Sequence, residues 1–85
     1  MSVKVLYFAW VRERIGLGEE EVEPPVDALT VADLVRWLAS RSDAHASALS
    51  EPGKLRAAID QAFVPLDAPI GSARELALFP PVTGG

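Results

Sequence analysis

Thr30-Val31-Ala32-Asp33-Leu34-Val35-Arg36-Trp37-Leu38 is the stretch on which the architecture of this chain turns. Val31, Leu34, Val35 and Leu38 stand at i, i+3, i+4 and i+7, so a helix would gather them into one apolar stripe. Thr30, followed three residues on by Asp33, has the form of a capping box with Asp in the place usually held by Glu or Gln. Arg36 and Arg41 fall off the stripe, and Arg41 suits the negative end of the helix dipole. The pattern predicts a helix from Thr30 to about Ser42 that supplies half of the core.

Strand patterns surround this helix. Val3-Lys4-Val5-Leu6-Tyr7-Phe8 is rich in β-branched and aromatic residues and free of Gly and Pro. A short helix follows, with Val11 and Ile15 at i, i+4 and Gly16 placed to end it. Glu19-Glu20-Glu21-Val22-Glu23 reads as a solvated acidic edge strand closed by Pro24-Pro25. Ala44 to Gly53 predicts a helical turn and a Pro52-Gly53 break, with His45, the single histidine, as a solvated loop residue. Leu55 to Ile59 and Phe63 to Leu66 read as short strands around a turn at Asp60-Gln61, and Glu75 to Phe79 as the last strand. With the first and last strands paired at the centre, this is an α+β chain of β-grasp layout, a small mixed sheet with one main helix on one face. Local pattern alone does not separate it from other α+β arrangements. The expected division is a β-grasp domain over residues 1–81 and a tail over 82–85.

Composition narrows the function. Eighty-five residues, 49% of them hydrophobic and two of them Trp, fit one small packed domain. Twelve acidic against eight basic residues give a net charge of -4, which disfavours nucleic acid as a partner. No apolar run approaches the roughly 20 residues of a membrane span, and no signal-peptide pattern opens the chain, so no membrane partner and a cytoplasmic location are expected. The chain has no cysteine, hence no disulfide and no side-chain thiol to carry sulfur or hold zinc. No metal is expected. Gly16-Leu17-Gly18 follows a helix, not a strand, and lacks the rest of a phosphate loop. His45 has no partners in sequence for a Ser-His-Asp set.

Alternation along the strands assigns a docking face. Lys4, Leu6 and Phe8 share one side of the first strand, and Glu75, Ala77 and Phe79 one side of the last. Lys4 and Glu75 should be wet, which puts Phe8 and Phe79 on the solvent side, with Phe63 expected to join them. Three aromatics on a face the helix does not cover mark a protein interface. The alternative is half-buried filler beneath snorkelling charges. Trp10 and Trp37 read as core or rim.

The chain ends Phe79-Pro80-Pro81-Val82-Thr83-Gly84-Gly85. Pro80 and Pro81 fix two φ angles and make a stiff exit from the sheet. Gly84 and Gly85 carry no side chains, so the terminal carboxylate sits on a thread thin enough for a narrow tunnel. Val82 to Gly85 reach at most roughly 13 Å, which places the chemistry in a pocket of another protein close to the docking face. Ordering those four residues costs roughly 4–8 kcal/mol of backbone freedom. Burying two or three aromatics at roughly 1.5–3 kcal/mol each is of the size needed to offset it. A carboxylate is a poor electrophile until it is converted to an acyl adenylate. The activated carbonyl then accepts sulfur, giving a thiocarboxylate, or an amine, giving an amide, and the residues fit both outcomes equally.

Over nearly all of its length the chain resembles the MoaD family, the small subunits of molybdopterin synthase, within the ubiquitin-like β-grasp superfamily. The resemblance rests on Val3 to Gly16 ("VKVLYFAWVRERIG"), Thr30 to Arg41 ("TVADLVRWLASR") and above all Leu76 to Gly85 ("LALFPPVTGG"). It implies a sulfur carrier with no bound cofactor. A MoeB-like adenylating enzyme would activate Gly85 with ATP, and a sulfurtransferase system would replace the adenylate with sulfur. The thiocarboxylate on Gly85, behind Gly84, would enter a MoaE-like large subunit and donate sulfur to the dithiolene of molybdopterin. Catalytic side chains are then expected on the large subunit, in a heterotetramer. The resemblance makes Phe8, Phe63, Phe79, Pro80, Pro81, Val82 and Thr83 partner-binding residues. Arg12 and Arg14 read either as a wet helix face or as a contact for the activating enzyme. Alternatives are a ThiS-like carrier for thiamine thiazole synthesis, a ubiquitin-like modifier joined to lysines through Gly85, and a binding module with an idle tail.

Overall fold

Val3–Tyr7 (β1) and Glu75–Phe79 (β5) run parallel at the middle of a five-stranded sheet, with Val5 opposite Leu76 and Tyr7 opposite Leu78. The computed structural model describes residues 2–81. Between the two central strands come Ala9–Ile15 (α1), Glu19–Val22 (β2), Val31–Ala39 (α2), Asp43–Leu49 (α3), a single 3-10 turn at Pro52–Lys54, Arg56–Ile59 (β3) and Ala62–Val64 (β4). The sheet order is β2-β1-β5-β3-β4, antiparallel except at the centre. This is the ubiquitin-like β-grasp arrangement.

α2 forms as its spacing predicts. Val31, Leu34, Val35 and Leu38 have no exposed surface and lie in one core with Val5, Tyr7, Leu76 and Leu78. Thr30 Oγ1 accepts from the Asp33 amide (3.1 Å), and Asp33 Oδ2 accepts from the Leu29 and Thr30 amides (3.0 and 3.1 Å). Those two backbone donors hold the Asp33 carboxyl below its ordinary value. The helix stops at Ala39, before the predicted Ser42. The Ser40 hydroxyl donates back to the Trp37 carbonyl (2.6 Å), and Ser42 instead caps α3 by accepting from the His45 amide (3.1 Å). Gly16 ends α1 in the left-handed region, φ 88°, as its position implied.

Other boundaries also moved. β1 ends at Tyr7, and Phe8 becomes the extended N-cap of α1. Leu55 is buried but lies before β3, and Pro65, lacking an N–H, closes β4 before Leu66. Asp60 and Gln61 both have positive φ (48° and 74°), the geometry of the tight turn expected between β3 and β4. Asp60 Oδ1 accepts from the Arg74 and Glu75 amides (3.1 and 3.0 Å), tying this turn to the start of β5.

The sequence reading of His45 and Glu20 is overturned. His45 is not a solvated loop residue but sits inside α3 with 8% of its surface exposed. Its Nε2 meets Glu20 Oε2 at 2.6 Å, and the same oxygen accepts from Tyr7 Oη at 2.7 Å. A carboxylate only accepts, so Nε2 carries the hydrogen and Nδ1 lies 2.7 Å from the Ser42 hydroxyl. β2 is the edge strand expected, but one of its three glutamates turns inward and fastens α3 to the sheet.

Burial alone would raise the Glu20 carboxyl, but the hydrogen bonds from His45 and Tyr7, with the nearby charges of His45 and Arg41, outweigh it and the net shift is downward. A depressed folded value stabilises the fold above the ordinary value of 4.5 and is lost as pH falls through the lower folded one. Urea midpoints of the wild type should therefore drop on acidification below about pH 4.5. Glu20→Gln should be less stable at neutral pH and show a shallower acid slope, the remainder coming partly from Asp33. Parallel acid slopes for the two proteins would refute this account of the Glu20–His45 pair.

Candidate docking face and tail root

The face of the sheet opposite the helices carries the three aromatics that alternation placed there. Phe8 is 47% and Phe63 84% exposed, and Phe79 is half-buried. Register explains the grouping. Ala58 sits between Ala77 on β5 and Phe63 on β4, and Leu6 lies opposite Ala77 from β1. Ala58 and Ala77, with Leu6 beside them, form the floor of a groove walled by Phe8, Phe63 and Phe79. The Phe63 and Phe79 rings pack with centroids 5.6 Å apart and planes at 43°. Lys4 and Glu75, the residues used to choose the wet side, do face it, with Lys4 Nζ 3.6 Å from the exposed Glu19.

Phe8 reaches this face although it lies beyond β1. Its backbone stays extended (φ -130°, ψ 155°), and its amide donates to the Leu78 carbonyl at 3.2 Å, so strand alternation runs on one residue. The floor residue Ala58 was not singled out in sequence. Only the register of β3 against β5 reveals it, since a lone alanine between strands carries no interface signal.

β5 leads without interruption into Pro80 and Pro81, which stand at the rim of the sheet. Val82, Thr83, Gly84 and Gly85, named as tail and partner-binding residues, lie outside the described residues. Pro80 and Pro81 also border a second groove, on the other side of the tail root, with Trp10, Arg14, Gly53 and Lys54. The two tryptophans are rim residues packed against the core, each under an arginine: Arg14 lies 4.7 Å from the Trp10 ring centroid and Arg41 4.9 Å from that of Trp37. Among the described residues, no cluster of three or more His, Asp or Glu has the geometry to hold a metal ion. No helix among them is long and apolar enough to cross a membrane.

Comparison with known proteins accords with this geometry. The chain is 48% identical over 83 residues to the molybdopterin synthase sulfur carrier subunit of Escherichia coli, covering 98% of this chain and 99% of that one. It is 44% identical over 84 residues to the subunit of the same name from Haemophilus influenzae, with coverage of 98% and 99%. Among solved structures, the small archaeal modifier protein 1 of H. volcanii superposes with a TM-score of 0.65 at 25% identity, over 95% of this chain and 98% of that one. The sequence model of the ThiS family matches residues 5–85, so the aromatic face and the stiff tail root described above lie within the matched region, and the chain belongs to the ThiS family.

Proposed function

We propose that this chain is the sulfur carrier subunit of a molybdopterin synthase, and that Gly85 is its reactive residue. One observation carries the reading. The central strand of the sheet, flanked by an exposed aromatic groove, feeds directly into Pro80-Pro81 and an uncharged tail ending Gly84-Gly85. The near full-length identity to carriers of that name supports it.

In this reading Phe8, Phe63 and Phe79 seat the body on a MoaE-like large subunit, and Pro80 and Pro81 aim Val82 to Gly85 into its active site. A MoeB-like enzyme first activates the tail. The Gly85 carboxylate attacks the α-phosphorus of ATP, pyrophosphate leaves, and an acyl adenylate forms. Hydrosulfide supplied by the sulfur donor attacks the carbonyl, expels AMP and gives up its proton, leaving the thiocarboxylate that supplies the dithiolene sulfur. The chain itself contributes presentation and a reactive terminus, and the side chains that move protons belong to its partners. Its work is done where those partners meet, in the cytoplasm.

Intact-mass analysis tests this directly. Incubation with the adenylating enzyme, ATP and a sulfur donor should replace one terminal oxygen by sulfur in the peptide containing Gly85. An unchanged terminus under those conditions, with ATP consumed by a control carrier, overturns the reading. A second reading is a modifier, favoured by the likeness to small archaeal modifier protein 1. It would appear in the same experiment, run in cell extract, as amide-linked adducts on lysines in place of the thiocarboxylate.

A further inference from the structure

The groove on the helical side of the tail root is formed by topology, not by local sequence. Because β1 and β5 are parallel and in register, the start of α1 lies beside the end of β5, which brings Trp10 and Arg14 to Pro80 and Pro81. Because β3 runs antiparallel to β5, Arg56 stands opposite Phe79, and Lys54, just before β3, reaches the same place from the other direction. Two separate segments therefore deliver cations to the root of the tail in a chain whose net charge is -4.

The cations differ in readiness. Lys54 Nζ is 3.3 Å from Glu51, an exposed pair of the kind that exchanges readily with other partners. Arg14 has no carboxylate partner among the described residues and is stacked on Trp10 instead. Stacking leaves the in-plane N–H donors of a guanidinium open, and it fixes the plane in which a carboxylate would be met.

Resting on the sulfur-carrier reading, we infer that the Trp10–Arg14–Lys54 groove is a second docking surface, which seats an acidic segment of the enzyme that activates the tail. Charge complementarity selects an acidic partner, and continuity with Pro80 and Pro81 selects the protein whose tunnel receives the tail. The division of labour selects the activating enzyme over the large subunit. A carrier must leave the first after each loading. Charges at a rim speed encounter and permit release, whereas a buried aromatic face favours a lasting complex. Arg14 and Lys54 lie outside the aromatic groove, so the two surfaces can be tested apart.

The test uses the full chain, its MoeB-like enzyme and its large subunit. Arg14→Glu/Lys54→Glu, with Arg14→Gln/Lys54→Gln as the milder pair, is assayed by ATP–pyrophosphate exchange at low and high salt. The reversed pair should lower kcat/KM roughly tenfold at low salt through KM, with kcat kept, and the gap to wild type should close at high salt as charges are screened. The neutral pair should fall between. Binding to the large subunit should be unchanged, which also shows that both variants fold. Equal kcat/KM for wild type and variants, with wild type adenylated, overturns this inference and leaves the carrier reading intact. An equal loss of binding to both partners overturns the assignment to the activating enzyme. A wild-type chain that is not adenylated at all overturns the carrier reading, and this inference with it.

Discussion

Addition of one residue after Gly85 is expected to abolish thiocarboxylate formation and sulfur transfer while leaving the fold intact. The extra residue moves the terminal carboxylate by roughly 3.5 Å and puts an amide where the reactive carbonyl belongs. A pocket shaped to hold a main-chain carboxylate in line with ATP does not tolerate such a displacement, since rates fall steeply with misplacement at the reacting atoms. Nothing in the body should notice. β5 ends at Phe79, and the core residues nearest the tail are Leu76 and Leu78. Circular dichroism and urea midpoints should match wild type, and intact mass should show an unmodified terminus after incubation with enzyme, ATP and sulfur donor. An extended chain that is loaded without being trimmed would sink the proposed role of Gly85.

The aromatic face carries the second large effect. Phe63→Ala should weaken binding to the large subunit about 30-fold or more, the scale of a central aromatic anchor. Its ring is 84% exposed in the free chain, so the same change should alter stability by less than about 0.5 kcal/mol. Phe8→Ala should act in the same direction. Phe79 is less clean, because its half-buried ring packs on Phe63 at the end of the central strand and its loss would also loosen the fold. Calorimetric titration of the large subunit with Phe63→Ala decides the matter. An unchanged Kd would mean that the exposed ring does not meet this partner.

What could be read from sequence was what local chemistry controls. The capping box at Thr30 and Asp33, the stripe from Val31 to Leu38, the stop at Gly16 and the turn at Asp60-Gln61 all depend on neighbours within a few positions, and each was legible. The aromatic face was legible because alternation is a local rule and Lys4 and Glu75 labelled its wet side. The Glu20–His45 pair was not, since the partners are 25 residues apart and meet only when α3 packs against α1 and α2. A trace was present: Ser42 at a capping position, with His45, Ala48 and Leu49 on one helical face, all three buried. Of the Trp10–Arg14–Lys54 groove only Arg14 was legible, as one of two helix arginines read either as a wet face or as a contact for the activating enzyme. Its grouping with Trp10 and Lys54 is assembled by strand pairings that only the whole sheet defines.

The parallel pairing of β1 with β5 has a consequence for the order in which the molecule is made. A ribosome releases β1 first and β5 last, yet each is the other's neighbour at the centre of the sheet, and Leu76 and Leu78 are indispensable to the interior. A nascent chain lacking its final segment has no way to close. Any copy with a finished groove has therefore already been translated past Phe79, so products broken off before the end of β5 do not become folded decoys that occupy a partner while having nothing to deliver.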